Sequence, residues 1–447
     1  MISFVKKFFN KENKRIYLDY AGATFVSARS LRALAQGLAL YGNPSAIHKE
    51  GAQAGLLFDK ARALCANVLN AHAYEIYFVG SGTESCNLAV LGTYEGCMKQ
   101  EARSKKQEVS VLPHIIVSSI EHPAVLEPVH KLEKEGKIKV TYLPVYENGI
   151  VKVNDVREAL TEDTILVSVM YANNEIGTLQ PIKEIGRCIE EWKNENNRTH
   201  TAYPYFHTDA CQAGNYCNLD VVRLRAHLMT VNSSKVYGPK GIALLYKREG
   251  INVNNIIYGG GQERGLRSGT EDVASAYAFG VALNESSELK EKESVRLRVL
   301  RDYCRDELEK AIPNIKFYGA WDEYMQKVEG GRWKVEEVER KDLNLLSPVT
   351  YHLKTELRLP NNINCRVPGI SSEEMILRLD ALGFACSHKS ACASRESDGS
   401  YVLIALGASE KESLENIRIT FGRETKKSDI DLLVKSIKII SEKFSRD

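Results

Sequence analysis

One carboxylate and one lysine stand at the ends of two short apolar runs of this 447-residue chain. Asp209 closes Tyr205-Phe206-His207-Thr208, and Lys235 follows Leu228-Met229-Thr230-Val231. In an open parallel sheet the strand C-termini converge on one crevice, which would turn both side chains toward one ligand. That ligand would need a carbonyl for the amine and a basic nitrogen for the acid. Pyridoxal 5'-phosphate has both: a lysine holds its aldehyde as a Schiff base, and an acid keeps its ring nitrogen protonated, making the ring an electron sink. Either residue alone would more simply be a solvated surface charge, so the other blocks of the chain decide the reading.

Those blocks sit where elements end. Ile76-Tyr77-Phe78-Val79 reads as a buried strand, followed by the turn Gly80-Ser81-Gly82-Thr83-Glu84-Ser85 and an apolar helix from Cys86. Backbone N–H groups and the positive end of a helix dipole make such a turn around Gly82 a phosphate site, with the Thr83 hydroxyl as a further donor. Strands are also expected over His114–Ser119, ahead of Glu121-His122-Pro123, over Thr164–Met170, ahead of Asn173-Asn174-Glu175-Ile176-Gly177, and over Ile242–Tyr246. Taken singly each has a plainer meaning: His122 as a packed or capping residue, Asn174 as a strand terminator, the glycines of Tyr258–Thr270 as a linker, Cys392 as a small core residue.

Taken together, in order, they resemble the cysteine desulfurases of the NifS/IscS type, class-V aminotransferases within the aspartate aminotransferase fold superfamily. The blocks are Tyr17-Leu18-Asp19-Tyr20-Ala21-Gly22-Ala23-Thr24, with Gly22 where the family usually has alanine, Gly42–His48, Gly82-Thr83-Glu84-Ser85, Asn173–Gly177, Ser234-Lys235, Gly259–Thr270, Ser390-Ala391-Cys392 and Ile417–Arg423. The resemblance implies an α/β enzyme of PLP-dependent fold type I, in which a mostly parallel seven-stranded sheet flanked by helices is joined to a smaller α+β domain. It implies conversion of L-cysteine to L-alanine, with the sulfur left as a persulfide on Cys392. Lys235 would carry the cofactor and the Cα proton, Asp209 its ring nitrogen, Gln212 its phenolic oxygen and His122 its ring face. Gly82, Thr83, Ser234 and a neighbouring subunit's Thr270 would hold the phosphate, while Arg418 and Asn174 would orient the substrate. One departure stands out: the family usually has a histidine before the lysine and a serine three positions before it, where this chain has Ser234 and Asn232.

At this length two domains are expected. Composition turns charged and helical at Asn284, which sets a large cofactor domain over 14–283 and a small domain over 284–447, after an N-terminal extension of residues 1–13. Leu297, Leu300, Cys304, Leu308 and Ala311 keep one face of that helix apolar, and the charged stretch Trp321 to Asn344 is longer than the family pattern leads one to expect. With 60 basic and 58 acidic residues the net charge of +2 points to no nucleic-acid partner. Ten cysteines without a CxxC pair or Cys/His cluster argue against a metal site and for reduced thiols in a cytoplasmic protein. No signal peptide or membrane span is expected. The implied partners are a second copy of the chain and a sulfur acceptor, such as an iron–sulfur scaffold or a tRNA-thiolation protein. The alternatives on the same residues are a selenocysteine lyase or aminotransferase, and a non-catalytic assembly partner.

Overall fold

A computed structural model describes residues 15–103, 112–321, 323–327, 333–334, 351–388 and 399–444. The chain divides into two compact units. The larger comprises residues 23–174 and 178–291, and the smaller comprises 1–22, 175–177 and 292–447.

The larger unit is built on seven strands: β1 (Ile76–Val79), β2 (His114–Ser118), β3 (Lys139–Leu143), β4 (Thr164–Ser168), β5 (Tyr205–Asp209), β6 (Leu228–Asn232) and β7 (Ala243–Lys247). Their order is β1-β7-β6-β5-β4-β2-β3, with β7 antiparallel to both neighbours and every other pair parallel. The resulting α/β sheet of seven mostly parallel strands is the expected one. Every residue of β2, β4 and β5 is buried, as a parallel sheet covered on both faces requires. Strand β3 was not legible in the sequence. Only its last residue is buried and it begins with an exposed lysine, so neither a buried run nor a clean alternation marks it.

Helix α1 (Gly82–Arg103) packs on β6 and β7, and helix α2 (Pro123–Lys134) packs on α1. Helix α1 starts four residues before the apolar run from Cys86 that announces it. The Ser81 hydroxyl accepts the Glu84 amide at 3.1 Å and the Glu84 carboxylate accepts the Gly80 amide at 2.8 Å, which satisfies amides left open by the first turn.

A buried lysine lies behind the N-terminal ends of β5 and β6. Lys193, on helix α3 (Ile182–Glu195), is 1% exposed, and its Nζ lies 3.1 Å from His227 Nε2 and 3.2 Å from the His200 carbonyl. His227 Nδ1 accepts the Phe206 amide at 3.1 Å, so the neutral ring keeps its proton on Nε2. An ammonium cannot accept that proton, whereas a neutral amine can. Burial, reinforced by Arg248 and Arg198 against Glu190, pulls Lys193 down to about 7. Between pH 7 and its unfolded value of roughly 10.4, the unfolded chain holds a proton that the fold has released, so this site adds stability as pH rises. Lys193→Met is expected to stabilise the protein at pH 7, and its advantage should shrink toward pH 9.5 by at most about 1.4 kcal/mol per unit. Denaturant midpoints of both proteins at the two pH values check this; a pH-independent difference would contradict it.

The smaller unit contains an antiparallel sheet of β8 (Lys316–Phe317), β9 (Asn362–Arg366) and β10 (Asn416–Thr420) in the order β10-β9-β8. Ile16–Tyr17 pairs in parallel with Phe384–Ala385. Helices Ser372–Ala381 and Lys427–Phe444 pack on one another. Helix α4 (Val273–Ala311) runs unbroken through Asn284, where the composition becomes charged, and the boundary between the units falls within it. Leu297, Cys304 and Leu308 are fully buried. At the start of the charged stretch, Trp321 has the Arg305 and Arg358 guanidiniums each 3.8 Å from its ring. Beyond it, Glu323–Lys327 pairs with Trp333–Lys334 and Tyr351–Thr355; the rest of Trp321 to Asn344 lies outside the described residues.

Candidate active site

Asp209 is the last residue of β5 and Lys235 ends the single turn Ser233–Lys235 that follows β6. The Cys211 amide donates to Asp209 Oδ1 at 2.9 Å, and the Cys86 thiol donates toward Oδ2 at 3.8 Å. His122 caps the start of α2, its Nδ1 accepting the Ala124 amide at 3.1 Å, with Pro123 at the first helical position. The neutral ring therefore carries its proton on Nε2. Burial holds His122 below its ordinary value; Asp209 acts against this and Lys235 with it, which places the three groups in one electrostatic neighbourhood.

The Lys235 turn is held from several sides. Asn215 donates to the Lys235 carbonyl at 2.5 Å, the Thr24 amide and hydroxyl donate to the Ser234 carbonyl at 2.9 and 3.0 Å, and Asn232 Oδ1 accepts the Ser234 amide at 3.1 Å. The Ser234 hydroxyl also turns to Asn232 Oδ1, at 3.2 Å. The two positions that depart from the family pattern are thus bonded to one another.

Behind Asp209 runs a directed chain of hydroxyls. Ser85 donates to the Leu244 carbonyl at 3.2 Å, so it accepts from Thr230 at 2.8 Å. Thr230 in turn accepts from His207 Nε2 at 3.1 Å, leaving His207 Nδ1 to accept from Ser168 at 2.8 Å. Burial depresses His207 to about 4, so it stays neutral and the strand carrying Asp209 is tied to its neighbours.

The start of α1 offers backbone amides and little bulk. A Cβ at Gly82 would come within 3.2 Å of both Asn232 Nδ2 and Cys211 Sγ. Thr83 is exposed in the first turn, Asn174 is 8% exposed beyond β4, and Gln212 is half-buried in the turn after Asp209. A helix N-terminus for phosphate, a strand-end carboxylate for a ring nitrogen and a strand-end amine for an aldehyde suit pyridoxal phosphate. Thr270 is exposed, and its block is anchored by the buried pair Arg62–Glu263 at 2.8 Å and by Arg267 on Glu84 at 2.9 Å.

In the smaller unit, Arg418 lies in β10, 1% exposed, and its Nη2 donates to Asp19 Oδ1 at 2.8 Å. Cys392 lies outside the described residues. Cys386 follows the strand Phe384–Ala385 and burial pushes its thiol well up. Ser400 donates to the Glu175 carboxylate at 2.5 Å.

Sequence reasoning passed over Glu121, although it directly precedes His122. It is fully buried, and its Oε1 accepts the Ser118 hydroxyl at 2.5 Å and the Met170 amide at 2.6 Å. Burial first, with Asp209 adding to it, raises its carboxyl to about 8. The fold therefore keeps a proton that the unfolded chain loses near pH 4.3, and the stability this brings is lost as pH rises through 8. Glu121→Gln is expected to remove that slope: relative to wild type it should gain about 2 kcal/mol or more between pH 5 and pH 8.5. Equal pH profiles in denaturant melts would contradict a protonated Glu121.

The profile of the aminotransferase class-V family matches residues 16–329. "Cysteine desulfurase IscS" of Clostridium botulinum is 36% identical over 433 residues, 96% of each chain. "Cysteine desulfurase IscS 1" of Archaeoglobus fulgidus is 35% identical over 429 residues, 96% of this chain and 97% of that one. A solved structure described as a NifS-like protein superposes with a TM-score of 0.77 at 28% identity, covering 95% of this chain and 99% of the other. The chain therefore belongs to the class-V aminotransferases, a pyridoxal-phosphate-dependent family, and within them to the NifS/IscS-type enzymes. Among the described residues no group of His, Cys, Asp and Glu could hold a metal ion, and no helix is long and apolar enough to cross a membrane.

Proposed function

We propose that this chain is a pyridoxal-phosphate-dependent cysteine desulfurase, which converts L-cysteine to L-alanine and keeps the sulfur as a persulfide on Cys392. The observation that carries the reading is the grouping of Lys235, Asp209 and His122 at the strand ends of the larger unit, in a chain 36% identical over 433 residues to a cysteine desulfurase. Bound pyridoxal phosphate supplies an electron sink for the bonds at the substrate's Cα.

The chain's own residues do the rest. Asp209, braced by the Cys211 amide, holds a proton at the ring nitrogen. His122, neutral at pH 7, offers its ring face without adding a positive charge. Lys235 would hold the cofactor through its amine, and the same amine, once free, would move the proton at the substrate's Cα. Gly82, Thr83, Ser234 and Thr270 of the partner subunit hold phosphate, Gln212 the phenolic oxygen, and Asn174 and Arg418 the substrate. The Cys392 thiolate attacks the substrate sulfur: one S–S bond forms, the C–S bond breaks, and its electron pair ends, with a proton, on the alanine carbon. No external oxidant or reductant is needed.

The same reading takes the protein as a cytoplasmic homodimer that hands sulfur to an acceptor protein, an iron–sulfur scaffold or a tRNA-thiolation protein. It takes 14–283 and 284–447 as the functional divisions. The test is to load the protein with pyridoxal phosphate, add L-cysteine and a thiol reductant, and measure alanine and sulfide. Equal amounts of both are expected. A keto acid without sulfide would mean an aminotransferase, release from selenocysteine alone a selenocysteine lyase, and no product at all a non-catalytic partner.

A further inference from the structure

Arg418 is buried within β10, yet its guanidinium already holds an anion. Its Nη2 donates at 2.8 Å to Asp19 Oδ1, and the two residues are 399 positions apart in the chain. The backbone brings them together firmly. Asp19 bridges Thr420 in parallel, the Thr420 amide donates to the Leu18 carbonyl at 2.8 Å, and the Arg418 amide donates to the Ser387 carbonyl at 2.6 Å. Exposure is uneven across the pair: the Arg418 side chain is 1% exposed and that of Asp19 is 23%. The carboxylate therefore stands on the solvent side of the guanidinium.

The turn that follows makes room for it. The Gly22 amide closes on the Asp19 carbonyl at 3.0 Å. A Cβ at position 22 would lie 2.4 Å from Asp19 Oδ2, 2.9 Å from its Cγ and 3.1 Å from Oδ1. Real Cβ atoms do not approach a carboxylate so closely. With any other residue at 22, the Asp19 carboxylate would have to move.

We propose that Asp19 is a stand-in for the substrate's α-carboxylate, seated on Arg418 while the site is empty and displaced when substrate arrives, and that Gly22 permits this. The inference rests on Arg418 being the carboxylate-binding residue. A buried guanidinium without a counter-charge is costly, so a resident carboxylate stabilises the empty enzyme. A planar guanidinium binds a substrate carboxylate best through two parallel N–H donors, and Asp19 holds one of its nitrogens. The incoming carboxylate must displace Asp19 or bind beside a like charge. Ligands that lack a carboxylate meet no such competitor, so Asp19 sets how strongly the site discriminates among amino acids and thiols.

The test compares Asp19→Asn and Gly22→Ala with wild type in the cofactor-loaded enzyme. The readouts are KM and kcat for L-cysteine, KM for L-cysteine methyl ester, and the inhibition constant of 3-mercaptopropionate, which has a carboxylate and a thiol but no amine. Both variants should lower KM for L-cysteine and the inhibition constant by roughly three- to ten-fold, the scale of one partly solvated charge-assisted hydrogen bond. KM for the methyl ester should stay put, and kcat should move less than KM. A KM for L-cysteine that rises or stays unchanged in Asp19→Asn would overturn the proposal, since Asp19 would then orient Arg418 or be irrelevant to it. Equal shifts for cysteine and its methyl ester would do the same. Arg418→Lys separates this from failure of the underlying reading: if that variant leaves KM for L-cysteine unchanged, Arg418 is not the carboxylate site; if it raises KM while Asp19→Asn does nothing, only the stand-in is wrong.

Discussion

Lys235→Ala is expected to give a folded protein with no covalently attached cofactor and with cysteine turnover lower by about three orders of magnitude or more, since anchorage and proton transfer are lost together. Folding should survive because the turn is held through main-chain atoms: Asn215 binds the Lys235 carbonyl, Thr24 the Ser234 carbonyl, and Asn232 the Ser234 amide. None of these contacts uses the lysine amine. Lys240 is no substitute, being exposed and separated by the buried Val236–Pro239. Borohydride reduction of the loaded protein followed by peptide mapping gives the answer. A cofactor adduct on Lys240, or an adduct retained in Lys235→Ala, would remove Lys235 from its role.

Cys392→Ser should separate cofactor chemistry from sulfur transfer. Lys235, Asp209 and Arg418 remain, so the loaded variant should keep its absorbance and respond to added cysteine, yet alanine and sulfide should fall by about two orders of magnitude or more. The other cysteines are poor replacements. Among the described residues, Cys65, Cys86, Cys97, Cys188, Cys217, Cys304 and Cys365 are buried, and burial pushes both half-exposed thiols, Cys211 and Cys386, well up and away from thiolate. Mass spectrometry after one turnover should find the persulfide on Cys392. Persulfide on Cys386, with Cys392→Ser fully active, would show that the nucleophile is the earlier cysteine.

Much of the sheet could be read from residue order. β1 matches its expected span, and β2, β4, β5, β6 and β7 depart from theirs by no more than two residues at either end, because strands buried on both faces are written as uninterrupted apolar runs. β3, mostly half-exposed, escaped for the converse reason. The start of α1 precedes the apolar run that marks it because its first turn is polar: Ser81 and Glu84 cap it, and capping residues look like loop in a hydrophobicity pattern.

The sequence by itself determined the family, through short blocks in a fixed order, and with it the expected seven-stranded sheet; six of the strands and the places of Asp209 and Lys235 after two of them are carried by residues near one another in the chain. It also held the exchange of a histidine for Ser234. Only the tertiary structure decided what these residues touch. That Ser234 bonds Asn232, that burial keeps His122 and His207 neutral and Glu121 protonated, and that Lys193 meets His227 as an amine all depend on desolvation and on partners from other strands. The pairing of Asp19 with Arg418 lies furthest from a sequence pattern. It joins the two ends of the chain, and it hangs on the missing Cβ of Gly22, whose consequence is visible only once the carboxylate has been placed beside it.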